Sequence, residues 1–176
     1  MNRLTAEQTR LFSTDLQAID RRPQAWSTVP RNLLEWATPG DVAEWVTQAI
    51  ESLRWSNPAI QEYLSQHPDY RPKVLIAVLA YGYCSGVYSS QELFDCTAVD
   101  STFVGLCAGC RPFPAELRKF RRANRILLEE VLVSIYRKAL AARYDTAAMR
   151  TDFETAIKRR ATEHLDIARH FDRLDD

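Results

Sequence analysis

The chain has 176 residues, of which 46% are apolar and 10% aromatic, enough for one domain with a sizeable core and too much for a chain that stays disordered as a whole. Its 23 basic and 23 acidic residues cancel to a formal charge of zero, which excludes a protein that is polyanionic or polycationic throughout. No apolar run approaches the roughly 20 residues that span a bilayer, and the first 25 residues carry no apolar stretch of the secretory kind, so the cytoplasm is the expected compartment.

Helix is the recurring expectation along the chain. Thr5 and Gln8 are spaced as a capping box, and Leu4, Leu11, Phe12, Leu16 and Ile19 recur at helical spacing up to Arg21-Arg22-Pro23. A short segment around Leu33, Leu34 and Trp36 is expected to end at Pro39-Gly40. Asp41 then caps a helix with an apolar stripe of Val42, Trp45, Val46, Ala49, Ile50 and Leu53. Asn57-Pro58 opens a short helix through Ile60, Tyr63 and Leu64. Pro72 starts a helix to about Cys84 that is apolar nearly all round and belongs at the centre of the core. Ser89 and Glu92 are spaced as the next capping box, and Asp100 or Ser101 caps a helix through Phe103, Val104 and Leu106 that the glycine of Cys107-Ala-Gly-Cys110 terminates.

Pro114 opens a helix carrying Leu117, Phe120, Leu127, Leu128, Val131 and Ile135 on one face. From Thr146 to Leu174 an amphipathic helix is marked by Phe153, Ile157, Ala161, Leu165, Ile167, Phe171 and Leu174; it packs on the same core or pairs with a partner chain. No period-two run bounded by hairpin turns occurs. The expected fold is therefore all-α, one multi-helix bundle over residues 1–143 with a C-terminal amphipathic helical extension over 144–176. The three short helices at about 90–96, 101–108 and 114–123 are spaced as a helix-turn-helix-like unit whose last helix is basic.

The cysteines are Cys84, Cys96, Cys107 and Cys110. Cys107 and Cys110 have the spacing that places two thiolates on one metal, but a structural zinc needs two further ligands and no second such pair follows; no metal or cofactor is expected, and buried free thiols are the preferred reading. Asp95, Asp100, Asp152, Glu154 and Asp166 read as helix caps or solvated residues. His164 and His170 do not share a helix face, and no Ser-His-Asp set, phosphate loop or zinc-protease spacing occurs, so an enzyme is not expected. Trp26, Trp36, Trp45 and Trp55 lie among Leu and Val and read as core or interface residues rather than base-stacking platforms.

Charge is unevenly placed. Between positions 111 and 125 six basic residues surround the single acid Glu116, a local charge of +5, leaving 17 basic against 22 acidic residues elsewhere. Such a ridge suits a polyanion. Arg118, Lys119, Arg121, Arg122 and Arg125 are the expected phosphate contacts, with Arg111, Lys73 and Ser90 secondary. Helix N-termini at Ser89 and Pro114 offer free N–H groups to phosphate oxygens. On this reading alanine at Arg121 and Arg122 weakens binding and leaves the melting temperature nearly unchanged.

The run from Tyr70-Arg71-Pro72 to Tyr81-Gly82-Tyr83, then Ser85-Gly86-Val87-Tyr88-Ser89-Ser90-Gln91-Glu92-Leu93, resembles the N-terminal, InsH-like domain of insertion-sequence DDE transposases. Phe103 to Leu106, Gly109, Arg111-Pro112 and Leu117-Arg118-Lys119-Phe120-Arg121-Arg122 continue the pattern, as do Leu33-Leu34-Glu35-Trp36 and Val42-Ala43-Glu44-Trp45-Val46. The resemblance covers about residues 25–140. It implies a bacterial, non-catalytic helical domain that binds double-stranded DNA at transposon ends and is nucleoid-associated when bound. The chain departs from the family at Phe113-Pro114-Ala115-Glu116, where an Asp and a Thr are usual, so individual base contacts do not carry over. The family's nuclease domain is not expected within these residues. The alternative is a protein-interaction module, a homodimer or a regulator that joins a separate transposase chain.

Overall fold

A computed structural model describes residues 29–55, 61–62, 65, 71–144 and 151–174. The helix expected through Ile19, Trp26, and most of the short helix opening at Pro58 lie outside them. Within them the fold is all-α, with seven helices: α1 (Pro39–Glu51), α2 (Pro72–Cys84), α3 (Ser90–Val99), α4 (Ser101–Cys107), α5 (Pro114–Ala123), α6 (Arg125–Arg143) and α7 (Thr151–Leu174), preceded by a 3₁₀ turn at Leu33–Glu35. None of the described helices is long and apolar enough to cross a membrane.

The helix starts follow local chemistry, with some shifts from expectation. Pro39-Gly40 begins α1 rather than ending the turn before it: Thr38 is the N-cap, its hydroxyl accepting from the Asp41 N–H at 3.2 Å while Asp41 accepts from the Thr38 N–H at 2.9 Å. Asp100 caps α4, accepting from the N–H groups of Thr102 and Phe103 at 2.8 and 3.1 Å. Ser89 stands at the N-cap of α3 without a side-chain cap hydrogen bond, so the expected capping box is not formed. The end of α4 is made by Ala108 in the left-handed region (φ 47°), followed by Gly109 (φ 79°), rather than by the glycine alone.

The largest shift is after residue 123. Asn124 leaves the helical region (φ −121°, ψ 34°), its side-chain amide donates to the Phe120 carbonyl at 2.9 Å, and the chain restarts as α6. The basic stretch thus spans two helices instead of one continuous face.

α2 is the central rod. From Val74 to Cys84 every side chain is buried, as its unbroken apolar run requires, and α1, α3, α4, α5 and α6 all pack on it. α7 lies against α6 and sends Phe153, Ile157, Ala161, Leu165 and Ala168 into the same core. Trp36, Trp45 and Trp55 are partly buried against that core.

At Gly82 the backbone of α2 lies close against Leu93 of α3. A β-carbon there would lie 2.2 Å from Leu93 Cδ2 and 3.2 Å from the Val87 carbonyl oxygen, and Leu93 is fully buried. Gly82→Ala is therefore expected to overpack this junction and lower folding stability by about 1–3 kcal/mol. Urea unfolding measures it, and an unchanged midpoint would show that the two helices can separate freely.

Candidate functional site

The basic helix α5 is short and amphipathic, and its inward face is Leu117, Phe120 and Arg121. Arg121 falls one helical turn after Leu117, on the apolar stripe rather than beside it. It is only 5% exposed. Its charge survives burial because α7 delivers Asp172, itself 3% exposed, to the same spot. Arg121 Nε donates to both Asp172 carboxylate oxygens at 3.0 and 2.9 Å, Nη2 donates to Oδ1, and Nη1 donates to the Tyr88 carbonyl at 2.7 Å. Burial works against the guanidinium charge, and the Asp172 hydrogen bonds outweigh it, so the Arg121 pKa moves up.

Arg121 is thus not a surface phosphate contact, and that expectation is corrected: it is a structural cation holding α5 to α7. Arg122, more exposed, lies 3.6 Å from Asp172 Oδ2 and donates to the Asp172 carbonyl at 3.2 Å. Arg125, on α6, pairs with Asp166 of α7 at 2.8 Å. The break at Asn124 and the carboxylates of α7 together dissolve the single free ridge expected of these arginines.

The secondary candidates are dispersed. Ser90 is fully buried, because Ser90, Leu93 and Thr97 form the inward face of α3, so its hydroxyl is not open to a phosphate; this corrects the expectation. Arg111 donates to Thr97 Oγ1 and to the Phe94 carbonyl, both at 3.1 Å, and lies 4.4 Å from the Phe94 ring centroid. Lys73 sits 5.2 Å over the Trp55 ring at the far end of α2. Arg118 is half-buried and Lys119 exposed on α5. All four cysteines are free, and no group of three His, Cys, Asp or Glu side chains among the described residues could hold a metal.

What the fold does gather is a cavity of about 350 Å³ between α5, the start of α6 and the last turns of α7. Arg121, Arg122, Arg125, Arg169 and Arg173 line it against the single carboxylate of Asp172, with Tyr83 from the central rod also on its wall. Arg169 and Arg173 were not anticipated from the sequence. They are separated from the basic helix by nearly fifty residues, and only the packing of α7 brings them there. The Tyr83 hydroxyl is buried beside the Arg121 guanidinium and finds no acceptor among the described residues. Burial raises its pKa to about 12 while the neighbouring Arg121 charge pulls the other way, so it stays a protonated donor at neutral pH.

A second polar cluster fixes α7 from below. His164 is fully buried on the apolar stripe of α7, with its ring nitrogens 2.9 Å from the Tyr88 hydroxyl and 2.5 Å from the Tyr136 hydroxyl. The Tyr136 hydroxyl also reaches the Pro30 and Arg31 carbonyls at 3.2 and 3.1 Å. Every donor finds an acceptor if Tyr88 donates to Nδ1, Nε2–H donates to Tyr136, and Tyr136 donates to those carbonyls. Burial, aided by the Arg160 charge, lowers the His164 pKa to about 3, so the ring is neutral. Arg160 of the same helix donates to the Val29 carbonyl at 3.0 and 2.6 Å. α7 is thus fastened at both ends of its inner face. No protein-family model, curated protein or solved structure matches the chain.

Proposed function

We propose that the protein is a non-catalytic DNA-binding module, akin to the transposon-end-binding part of DDE transposases, with a phosphate-contact surface different from the one its sequence suggests. That surface comprises Arg118, Lys119 and Arg122 of α5, Arg125 of α6, and Arg169 and Arg173 of α7. The observation that carries the reading is the convergence of α7 arginines on the arginines of α5 and α6 around one cavity in a chain of zero net charge. A neutral protein that concentrates guanidinium groups at one place has a directional field suited to a nucleic-acid backbone. The helix order α3, α4, α5, with α3 packed on both of the others, is compatible with a helix-turn-helix-like presentation of α5.

Neutralising roughly five phosphates gives a slope of log affinity against log salt near about −4 to −5, read by fluorescence anisotropy on duplex DNA. Arg118→Ala combined with Lys119→Ala is expected to make that slope shallower by about two while leaving the fold intact, since both side chains reach solvent. Duplex binding that ignores salt, or is indifferent to these two substitutions, removes the proposal.

A further inference from the structure

The geometry points to the cavity beneath Arg169 and Arg173 as a seat for one phosphomonoester group, a terminal phosphate rather than an internal phosphodiester. The inference deepens the DNA-binding reading by naming the ligand chemistry of part of its surface, and its site stands on separate observations.

First, the size suits one small anion. About 350 Å³ is at the small end of ligand pockets, enough for a phosphate and the atoms attached to it. A phosphate with a free end brings attached atoms on one side only, whereas an internal phosphodiester of a duplex carries ester bonds on both sides, so the small volume favours the former.

Second, the wall charge matches a dianion. Five guanidinium groups face one carboxylate, a formal excess of four positive charges. Asp172 satisfies the fork of Arg121 and Asp166 occupies part of Arg125. Arg169 and Arg173 have no ion pair among the described residues and stand one helical turn apart on α7. Like charges at that spacing repel, a cost that a shared anion relieves. A phosphomonoester carries about −1.5 to −2 charges at neutral pH and presents three strong acceptor oxygens, which bidentate guanidinium donors suit.

Third, a donor is waiting. The Tyr83 side chain is fully buried, lines this cavity, and its hydroxyl finds no acceptor among the described residues. A buried O–H that donates to nothing is unfavourable, and a phosphate oxygen is the acceptor the cavity would supply. The central rod thus provides a neutral donor from below and α7 two cations from above.

Calorimetric titration of the full chain with inorganic phosphate, against sodium chloride at equal ionic strength, tests the site without any assumption about DNA. Phosphate is expected to bind saturably. Tyr83→Phe, which removes only the orphaned hydroxyl and keeps the ring, and Arg169→Ala, on the exposed side of α7, are each expected to weaken it roughly tenfold or more, the effect of losing a hydrogen bond to a charged group. Absence of saturable binding above the chloride control, or binding unchanged in both variants, overturns the inference even if salt-dependent duplex binding persists. The source of the phosphate is separated by two comparisons: duplex DNA with a 5′-phosphate against the same duplex with a 5′-hydroxyl, and adenosine 5′-monophosphate against adenosine. A preference for the phosphorylated member that Tyr83→Phe abolishes supports the site in either comparison. Its presence only with the mononucleotide supports the site and counts against the DNA end as its source. Its absence from both comparisons overturns the phosphomonoester assignment.

Discussion

Asp172→Ala is expected to lower folding stability by about 3–5 kcal/mol, because it leaves the Arg121 guanidinium buried without its counter-charge. The pair is nearly closed to solvent, with side-chain exposures of 3% and 4%, so water cannot replace the carboxylate without opening the seam between α5 and α7. Arg121→Ala is expected to be comparably damaging from the other side. The double substitution Arg121→Met with Asp172→Leu is expected to recover most of the loss, since an apolar pair needs no compensation for desolvation. Arg122→Ala is the internal control: Arg122 reaches the same carboxylate but its side chain is 48% exposed, and exposed pairs contribute about 0–1 kcal/mol. Urea unfolding of the four variants separates the two neighbouring arginines. An Asp172→Ala protein within about 1 kcal/mol of the parent would mean that the seam is wet and that the pair is an ordinary surface contact.

The second large effect is acid sensitivity set by His164. Its pKa is about 3 in the folded chain against an ordinary value of 6.5. The unfolded chain therefore takes up a proton in a range where the folded one does not. Stability is complete above about pH 6.5, declines as pH falls from there toward 3, and is independent of this group below both values. The expected loss is about 2 kcal/mol by pH 5 and about 4 by pH 3. Glu154 and Glu163 also have lowered pKa values, through the outweighing effects of Arg137 and Arg31, and add losses of the same sign at lower pH. The diagnostic window is therefore pH 6.5 to 5, where those carboxylates remain charged. His164→Gln is expected to be less stable at neutral pH, since Tyr88 and Tyr136 lose a matched partner, but to lose the decline across that window. An equally steep decline in His164→Gln, measured as unfolding free energy against pH, would assign it to another group.

Much of the scaffold was readable from local pattern. The all-apolar run from Val74 to Cys84 has only one place in a helical protein, the middle, and α2 occupies it. Asp100 caps the helix it precedes for the reason its type and position suggest. What failed was anything decided by contacts distant in sequence. Asp166 and Asp172 give no local sign that their partners are Arg125 and Arg121, 41 and 51 residues away. Arg169 and Arg173 likewise join the cavity only once α7 has docked. One signal was present in the periodicity: Asp172 and His164 fall in the stripe Ile157, Ala161, Leu165 and Ala168, and Arg121 falls in the stripe of Leu117 and Phe120. A polar residue in an apolar stripe must find a partner in the interior, and each of these three does. The break at Asn124 carried a weaker mark, an Asn between two helix-forming stretches, where its amide can satisfy the carbonyl that the helix leaves behind.

The 51-residue separation between Arg121 and Asp172 has a temporal side. During synthesis at roughly 5–20 residues per second, the guanidinium is made several seconds before its carboxylate. In that interval the basic stretch carries its full positive charge, with neither Asp166 nor Asp172 yet present to temper it. Until α7 docks, the Arg121 charge stands uncompensated on an open helix face, and the arrival of Asp172 turns that face into a sealed joint.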